Sequence, residues 1–356
     1  MGLGISIRLN DAPDETVNAA AFVEVHECLN QPATYRIEYS FDVADDDFPL
    51  LKEEKLGPAA MLSVLAPADR KTECLVKGPV YGQRICFAQG GAGSSLVVLG
   101  GDSLIKMDRE NKAVAWSDMT DSNAVSAIVS QPQLGFVPDV EDTPASHLES
   151  KHTLIQRETD LRFVQRLARR NGNLFWLSSD EFGIETAHFK RPPLDGLASC
   201  DLIINLKDPR STAAGIEISW DVERPTKTTA ADLDLNTKSE VDGTVAGAPL
   251  TALGGSGLAD IVTDSRIAHV RAPIDDTGDL RARSEGALIE SSFFLHATGS
   301  TTFSALGKVL RAHSLVNLRG VGSRHSGLWF CAAVRHSIDQ SEHRMDFDLI
   351  RNGWIN

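Results

Sequence analysis

The sequence predicts a mainly β protein with α, in which two β units lie on either side of a helical α/β segment. Three observations carry this expectation. Apolar and polar residues alternate with period two near both ends of the chain, from Thr34 to Val43 and from Arg344 to Ile350, as in strands with one buried face. One strongly amphipathic helix is written between them, inside Leu154–Leu177. The chain also lacks the βαβ rhythm of a parallel sheet, so a Rossmann-type fold is not expected.

In chain order, Ile5, Ile7 and Leu9 alternate with Ser6, Arg8 and Asn10. Tyr35, Ile37, Tyr39, Phe41 and Val43 then alternate with Thr34, Arg36, Glu38, Ser40 and Asp42, which puts every aromatic ring on one face. Further strands are expected at Leu75–Val80, Arg84–Ala88 and Leu96–Leu99. Short strands with Gly or Pro turns between them favour a β-barrel or sandwich over residues 1–115. From Ser117 the period changes, and Val125, Ile128 and Val129 mark a helix that Asp121 or Ser122 caps and Pro132 ends. A loop containing Pro138 and Pro144 leads to the amphipathic helix. Thr159 or Asp160 can accept a first-turn N–H there. Leu161, Phe163, Val164, Leu167 and Ala168 form the apolar stripe, and Asn171 and Gly172 can take the left-handed conformation that stops the helix.

Residues 116–200 thus read as the α/β segment, and 201–356 as the second β unit. Strands resume at Leu202–Leu206 and Gly215–Trp220. Residues 225–286 are poor in large apolar groups and rich in Thr, Asp, Gly and Ala, and read as a long, partly mobile loop or insertion. Phe303, Leu306 and Leu310 predict a short helix after a Ser300/Thr301 cap. A hairpin follows, with arms Leu315–Leu318 and Leu328–Val334 around GVGSRHSG. Met345, Phe347 and Leu349 then alternate with Arg344, Asp346 and Asp348 in one more half-buried strand.

At 356 residues the chain is long enough for more than one hydrophobic core. Its 42% hydrophobic and 24% charged content is that of an ordinary globular protein. A net charge of −14 argues against a nucleic-acid-binding surface. Five cysteines (Cys28, Cys74, Cys86, Cys200 and Cys331) without CxxC spacing suggest free, buried thiols in a reducing compartment. MGLGISIRLN has no apolar leader core, and no apolar run reaches about eighteen residues, so neither a signal peptide nor stable membrane insertion is expected.

Strings that suggest chemistry fail on inspection. His26-Glu27 opens an HExxH-like string, but Asn30 stands where the second histidine belongs and the segment has strand patterning. His325, Cys331 and His336 near one hairpin lack a fourth ligand and close spacing. GGAGSS at Gly90–Ser95 has no following lysine, GGSGL at Gly254–Leu258 has Leu258 where a nucleophile elbow needs glycine, and neither joins a strand to a helix. With GVGSRHSG, they read as turns in which glycine permits positive φ. The carboxylate pairs Asp45–Asp47 and Asp275–Asp276 read as solvated loops. No catalytic set, cofactor or metal site is expected. Arg162, Arg166, Arg169 and Arg170 lie away from the apolar stripe as a basic face, either solvated or set against an acidic neighbouring subunit, and are the subunit-interface candidates.

QRETDLRFVQRLARRNGNLFW resembles the Q-x-R-E-T-D-x-x-F-x-x-R-L-x-x-x-x-G stretch of phage late-control D proteins and the N-terminal part of VgrG spike proteins, through Gln156, Arg157, Glu158, Thr159, Asp160, Phe163, Arg166, Leu167 and Gly172. SDMTDSNAVSAIVSQPQL resembles the short helix before that stretch. LVNLRGVGSRHSGLWFCAAVRHSIDQSEHRMDFDLIRNG resembles the closing hairpin, through Arg335, His336, Asp339, Phe347, Leu349, Arg351 and Gly353.

The resemblance implies a structural baseplate hub of a contractile injection system, tailocin or phage tail, with two tandem β-barrels per subunit and three subunits in a pseudo-sixfold ring. Such a hub adapts a hexameric, Hcp-like inner tube to a trimeric spike. The implied partners are a homotrimer, the tube, other baseplate proteins and a spike that a PAAR-type tip can crown. The resemblance further implies synthesis in the cytoplasm and incorporation into a phage tail or injection particle. Unlike VgrG, the sequence shows no OB domain or needle repeats before Asn356, so the spike is expected to be a separate polypeptide. The alternatives are a baseplate-associated cell-wall hydrolase, or a cargo- or host-binding module presented by residues 225–286.

Overall fold

A computed structural model describes residues 4–41, 55–68, 71–89, 93–150, 153–204, 211–234, 238–271 and 277–355. Among them, thirteen strands join in one sheet. The N-terminal part supplies β1 (Ser6–Leu9), β2 (Ala12–Pro13), β3 (Phe22–Cys28), β4 (Thr34–Phe41), β5 (Met61–Ala68), β6 (Lys71–Cys86) and β7 (Ser94–Gly101). The C-terminal part supplies β8 (Asp201–Ile203), β9 (Ala213–Trp220), β10 (Leu295–Thr302), β11 (Leu315–Arg319), β12 (Gly327–Ile338) and β13 (His343–Arg351). The hydrogen-bonded order is β9-β10-β13-β12-β3-β4-β7-β6-β5-β1-β2, with β11 pairing both β12 and β8. The protein is therefore mainly β, and among the described residues its sheet is an open path that does not close on itself.

The two ends of the chain meet where β3 pairs antiparallel with β12, Val25 opposite His336. One apolar core is shared across that seam: Ile7, Val25, Ile37 and Val98 pack in the same cluster as Leu295, Trp329, Val334 and Phe347. The period-two reading of β4 holds. Tyr35, Ile37 and Tyr39 are buried, and the two phenol O–H groups donate to the Gly78 and Val17 carbonyls at 3.1 and 2.8 Å, as buried polar tips require. Gly100 is needed opposite Tyr35, because a Cβ there would come within 2.0 Å of the ring. Val43 and Asp42, like residues 90–92 and Leu206, lie outside the described residues.

Several elements differ from expectation. The strands expected at Leu75–Val80 and Arg84–Ala88 are one strand, β6. A β-bulge between Val80 and Gly82 lets its first half pair β5 and its second half β7. Helix α1 (Asp121–Val129) is capped by Thr120, which accepts the Asn123 N–H, one residue before the expected Asp121. Helix α2 (Asp160–Asn171) starts at Thr159 and stops at Gly172, φ +70°. It buries Phe163, Val164 and Leu167 against Val125 and Ile128 of α1 and Phe175 and Phe189 of the small sheet beside it, a core separate from that of the main sheet. The expected loop over 225–286 instead holds short strands and then helix α3 (Thr277–Ser292). α3 buries Ser284 and Gly286 along with Leu280 and Leu288, so it carries little amphipathic signal. The helix expected to run through Phe303, Leu306 and Leu310 is capped by Thr302 and ends at Gly307 in the left-handed region, which leaves Leu310 outside it.

Glu27 ties these parts together. It shares the inward register of β3 with Val23 and Val25. Its carboxylate accepts the Arg311 Nε–H at 2.8 Å and the Ala312 N–H at 3.1 Å. Arg311 also donates to the Cys74 and Leu75 carbonyls of β6, at 2.9 and 3.2 Å. Burial would raise the Glu27 carboxyl, but the Arg311 charge and its hydrogen bonds, with the His336 ring nitrogen 3.8 Å away, hold it well below the usual carboxylate range. Behind it, buried His336 and His343 share a hydrogen bond, Nδ1 to Nε2, at 3.0 Å. Burial, then the neighbouring His336, pull His343 down to about 3. Asp102 runs the other way: burial pushes it up to about 7 despite N–H donors from Ala33 and Leu104.

This cluster can be probed in two ways. Arg311→Met leaves Glu27 buried without its cation and should cost about 3–5 kcal/mol in urea unfolding. Glu27→Leu with Arg311→Met should lose far less, and a double variant as unstable as the single one would refute this account. Below pH 6.5 the unfolded chain protonates His343 whereas the folded chain does not until about pH 3. His343 therefore contributes stability that is full above pH 6.5 and falls as pH drops toward 3. Wild type should lose about 1.4 kcal/mol per pH unit relative to His343→Gln below 6.5, a comparison that cancels Asp102. Parallel melting curves from pH 7.5 to 5 would contradict it.

Candidate assembly surfaces

The four arginines of α2 do not share one environment. Arg162 lies 3.7 Å from Asp108. Arg166 donates to Glu158 at 2.6 Å and to the Ile155 carbonyl at 3.0 Å. Arg169 makes a two-pronged contact with Glu290 of α3, at 3.2 and 3.1 Å. These three are exposed and already paired within the chain. Arg170 is buried, a correction to the expected basic face. Its Nε donates to Asp121 Oδ2 at 2.5 Å, and Asp121 also binds His147 at 2.8 Å and the Asn171 amide at 2.7 Å. The signal was present: 3.6 residues per turn sets Arg170 only about 20° from Phe163 on the helical wheel. Asp121 read as a cap, but its partner is the buried guanidinium.

The main sheet presents one polar face, and its register shows the rows. Glu217, Thr298, Asp348, Ala333 and Cys28 lie side by side across β9, β10, β13, β12 and β3. Beside them run Ser300, Asp346, Arg335, His26 and Thr34, and then Arg344, Ser337, Glu24 and Arg36. Arg344 Nε donates to Asp346 at 2.9 Å on this face. The alternate residues Val25, Ala297, Val334 and Phe347 enter the core. At one end of the sheet, β9 pairs only with β10 among the described residues. It is an eight-residue strand with an open edge, and Trp220 at its end is 56% exposed and meets Trp354 edge to face at 6.1 Å.

The strings that suggested chemistry are dispersed. His26 and Glu27 sit on opposite faces of β3, one toward solvent and one toward Arg311. Cys331 is buried and His336 binds His343, while the His325 carbonyl accepts the Trp329 indole N–H at 2.8 Å. Among the described residues no group of three or more His, Cys, Asp or Glu is arranged to hold a metal. GGSGL departs from expectation by joining a two-residue strand, Ser256–Gly257, to a helical turn, Leu258–Ile261. Gly254 has φ +131°, as a glycine turn requires. Asp45–Asp47 and Asp275–Asp276 lie outside the described residues. All five cysteines are free: Cys74, Cys200 and Cys331 are buried, whereas Cys86 is exposed, against the expectation of buried thiols. No helix among the described residues is long and apolar enough to cross a membrane.

Comparison with known proteins gives the fold its setting. The family model described as Alg8 N-terminal domain matches residues 5–340. No curated protein matches the chain. Among solved structures, a tail protein from Neisseria meningitidis MC58 superposes with a TM-score of 0.69 at 14% identity, covering 99% of this chain and 98% of that one. The 43 kDa tail protein of prophage MuSo2 from Shewanella oneidensis gives 0.66 at 13% identity, covering 98% of each. An E. coli component of the type VI secretion system, described as similar to the T4 tail proteins gp27 and gp5, gives 0.61 at 14% identity, covering 98% of this chain and 77% of that one. The fold is thus that of phage tail and type VI secretion proteins, in agreement with the three sequence stretches.

The contrast among the arginines is measurable. Arg170→Met should destabilise by about 3–5 kcal/mol, since it strands a buried carboxylate. Arg162→Ala and Arg169→Ala should each stay within about 0.5 kcal/mol in the same urea titration. Similar losses at all three positions would refute the distinction.

Proposed function

This chain belongs to the Alg8 N-terminal domain family, and from that premise and its tail-protein fold we propose that it is a structural, non-enzymatic component of a contractile tail or injection system. Within that class the reading is a baseplate hub. Three copies form a pseudo-sixfold ring of tandem barrels, residues 1–115 and 201–356 supplying the barrel strands, and this ring joins a hexameric tube to a separate trimeric spike.

The observation that carries this reading is the open sheet ending in β9. An unpaired edge presents free N–H and C=O groups that favour pairing with another chain. β9 lacks the usual protections: it has no proline or lysine, and its Ile216, Ile218 and Trp220 offer apolar surface. Burial of this edge against a neighbouring copy would satisfy the backbone and cover Trp220. The polar face fits a channel lining. Glu24, Glu38, Glu217, Asp346 and Asp348 stand against Arg36, Arg84, Arg335 and Arg344 on it, and even a slight acidic excess disfavours adhesion of anionic cargo. Exposed Arg162, Arg166 and Arg169 lie on α2, outside that sheet, and face solvent or a neighbouring subunit.

Light scattering and electron microscopy of the purified protein with its spike partner should show a trimeric ring; a stable monomer would overturn the reading. Trp220→Ala should weaken association at least tenfold, as loss of an interface anchor worth about 2 kcal/mol does, with the monomer's circular dichroism unchanged.

A further inference from the structure

Between the C-terminal end of α2, helix α3 and the main sheet lies an apolar cleft of about 450 Å³. Its floor is Leu29, Leu174, Ile289, Phe293, Phe330 and Ile350. Two glycines bring the helices together above it: a Cβ on Gly286 would lie 2.7 Å from the Arg170 carbonyl, and one on Gly172 2.4 Å from Ile289. The floor is built on packed residues, with the Phe293 and Phe330 rings 6.4 Å apart, so it does not collapse to fill the space.

Two guanidinium groups stand over this floor, and they differ. Arg169 is engaged by Glu290 through two hydrogen bonds. The Arg224 Nε–H is buried and has no hydrogen-bond acceptor. Arg224 is ion-paired with Asp221, but that 57%-exposed carboxylate lies 3.6 Å from Nε, beyond hydrogen-bond reach. Arg224 Nη2 reaches only the His296 ring nitrogen, at 3.4 Å. Burial and the Arg224 charge hold His296 below its ordinary value, so the imidazole adds no second cation. A guanidinium held only by a long, solvent-exposed ion pair, beside apolar surface, is a site where an arriving carboxylate gains a charge-assisted hydrogen bond.

We propose that this cleft docks a segment of a partner protein in which a large apolar side chain lies next to a carboxylate. The side chain fills the floor, and the carboxylate pairs with the Arg224 guanidinium, whose side chain is 29% exposed. Arg169 and Glu290 on the rim are 76% and 62% exposed, which leaves the cleft open for an extended chain to pass across. A free fatty acid has the same two chemical parts, but its chain needs the enclosure of a buried pocket. The site does not depend on the assembly reading, because a monomer presents it equally.

The test is fluorescence anisotropy on the full chain with labelled twelve-residue peptides. Each carries one Phe or Leu flanked by Asp or Glu, beside matched sets flanked by Asn or Gln. The acidic set should bind at least tenfold more tightly than the neutral set. Arg224→Gln should erase that preference, and Ile289→Trp, which fills the floor, should abolish binding of both sets while the melting temperature shows that each variant folds. If Ile289→Trp melts early, Arg224→Gln alone decides. Equal binding of the two sets, no saturable binding of any acidic peptide, wild-type behaviour of Arg224→Gln, or saturable binding of laurate without binding of peptides would each overturn the proposal.

Discussion

The ion pair between buried Glu27 and half-buried Arg311 is the constraint on which the main sheet depends. Its partners lie 284 positions apart in the chain, and neither charge can be buried without the other. Arg311 also grips two carbonyls of β6. Strand β3, strand β6 and the segment before β11 must therefore be in place together. Closing so long a loop costs conformational entropy, and the β3–β12 seam with its common core offsets that cost over a broad area. The N-terminal and C-terminal β segments consequently behave as one packed body within a chain, whatever its assembly does with their edges.

The middle segment obeys a parallel rule on a smaller scale. Asp121, Arg170, His147 and Asn171 form a second buried polar set, in which one carboxylate fixes the start of α1 against the end of α2. Apolar packing of Phe163, Val164 and Leu167 supplies the driving force there, while the ion pair selects one orientation. Glycines decide the next contact outward, where α2 and α3 approach backbone to backbone. A charge lock inside and a glycine crossing outside thus place α3 beside the sheet and leave the apolar cleft between them.

What the sequence made legible followed the strength of its periodic signal. β4 and β13 alternate cleanly and appear where the alternation lies, and the closing hairpin sits where its glycine-rich turn places it. Helix α2, with a cap, a stripe and a glycine stop, was legible almost to the residue. α3 was not, since a helix buried on several sides by small residues has no one-sided stripe. β6 was split in the reading because the bulge at Val80–Gly82 resembles a turn until its partners are known. Of the candidate site, the four arginines read as one basic face, but the inward turn of Arg170 depends on Asp121, forty-nine residues away. Glu27 stood in view within an apparent metal motif. Its inward register beside Val23 and Val25 was the better clue, since a carboxylate on a core face calls for a buried cation.

Strand β6 has a mechanical consequence. Its sixteen residues give it a contour of about 50 Å at the usual rise of a strand. The bulge hands it from β5 to β7 midway, so it splices two parts of the sheet as a lap joint does. A pull along its axis loads the hydrogen bonds to both neighbours in shear, many at once, whereas a pull across it would open them one after another. Arg311, clamped to the β6 carbonyls at Cys74 and Leu75, pins that joint near its first half. Force entering beside β5 is thereby carried along covalent backbone to the strand beside β7.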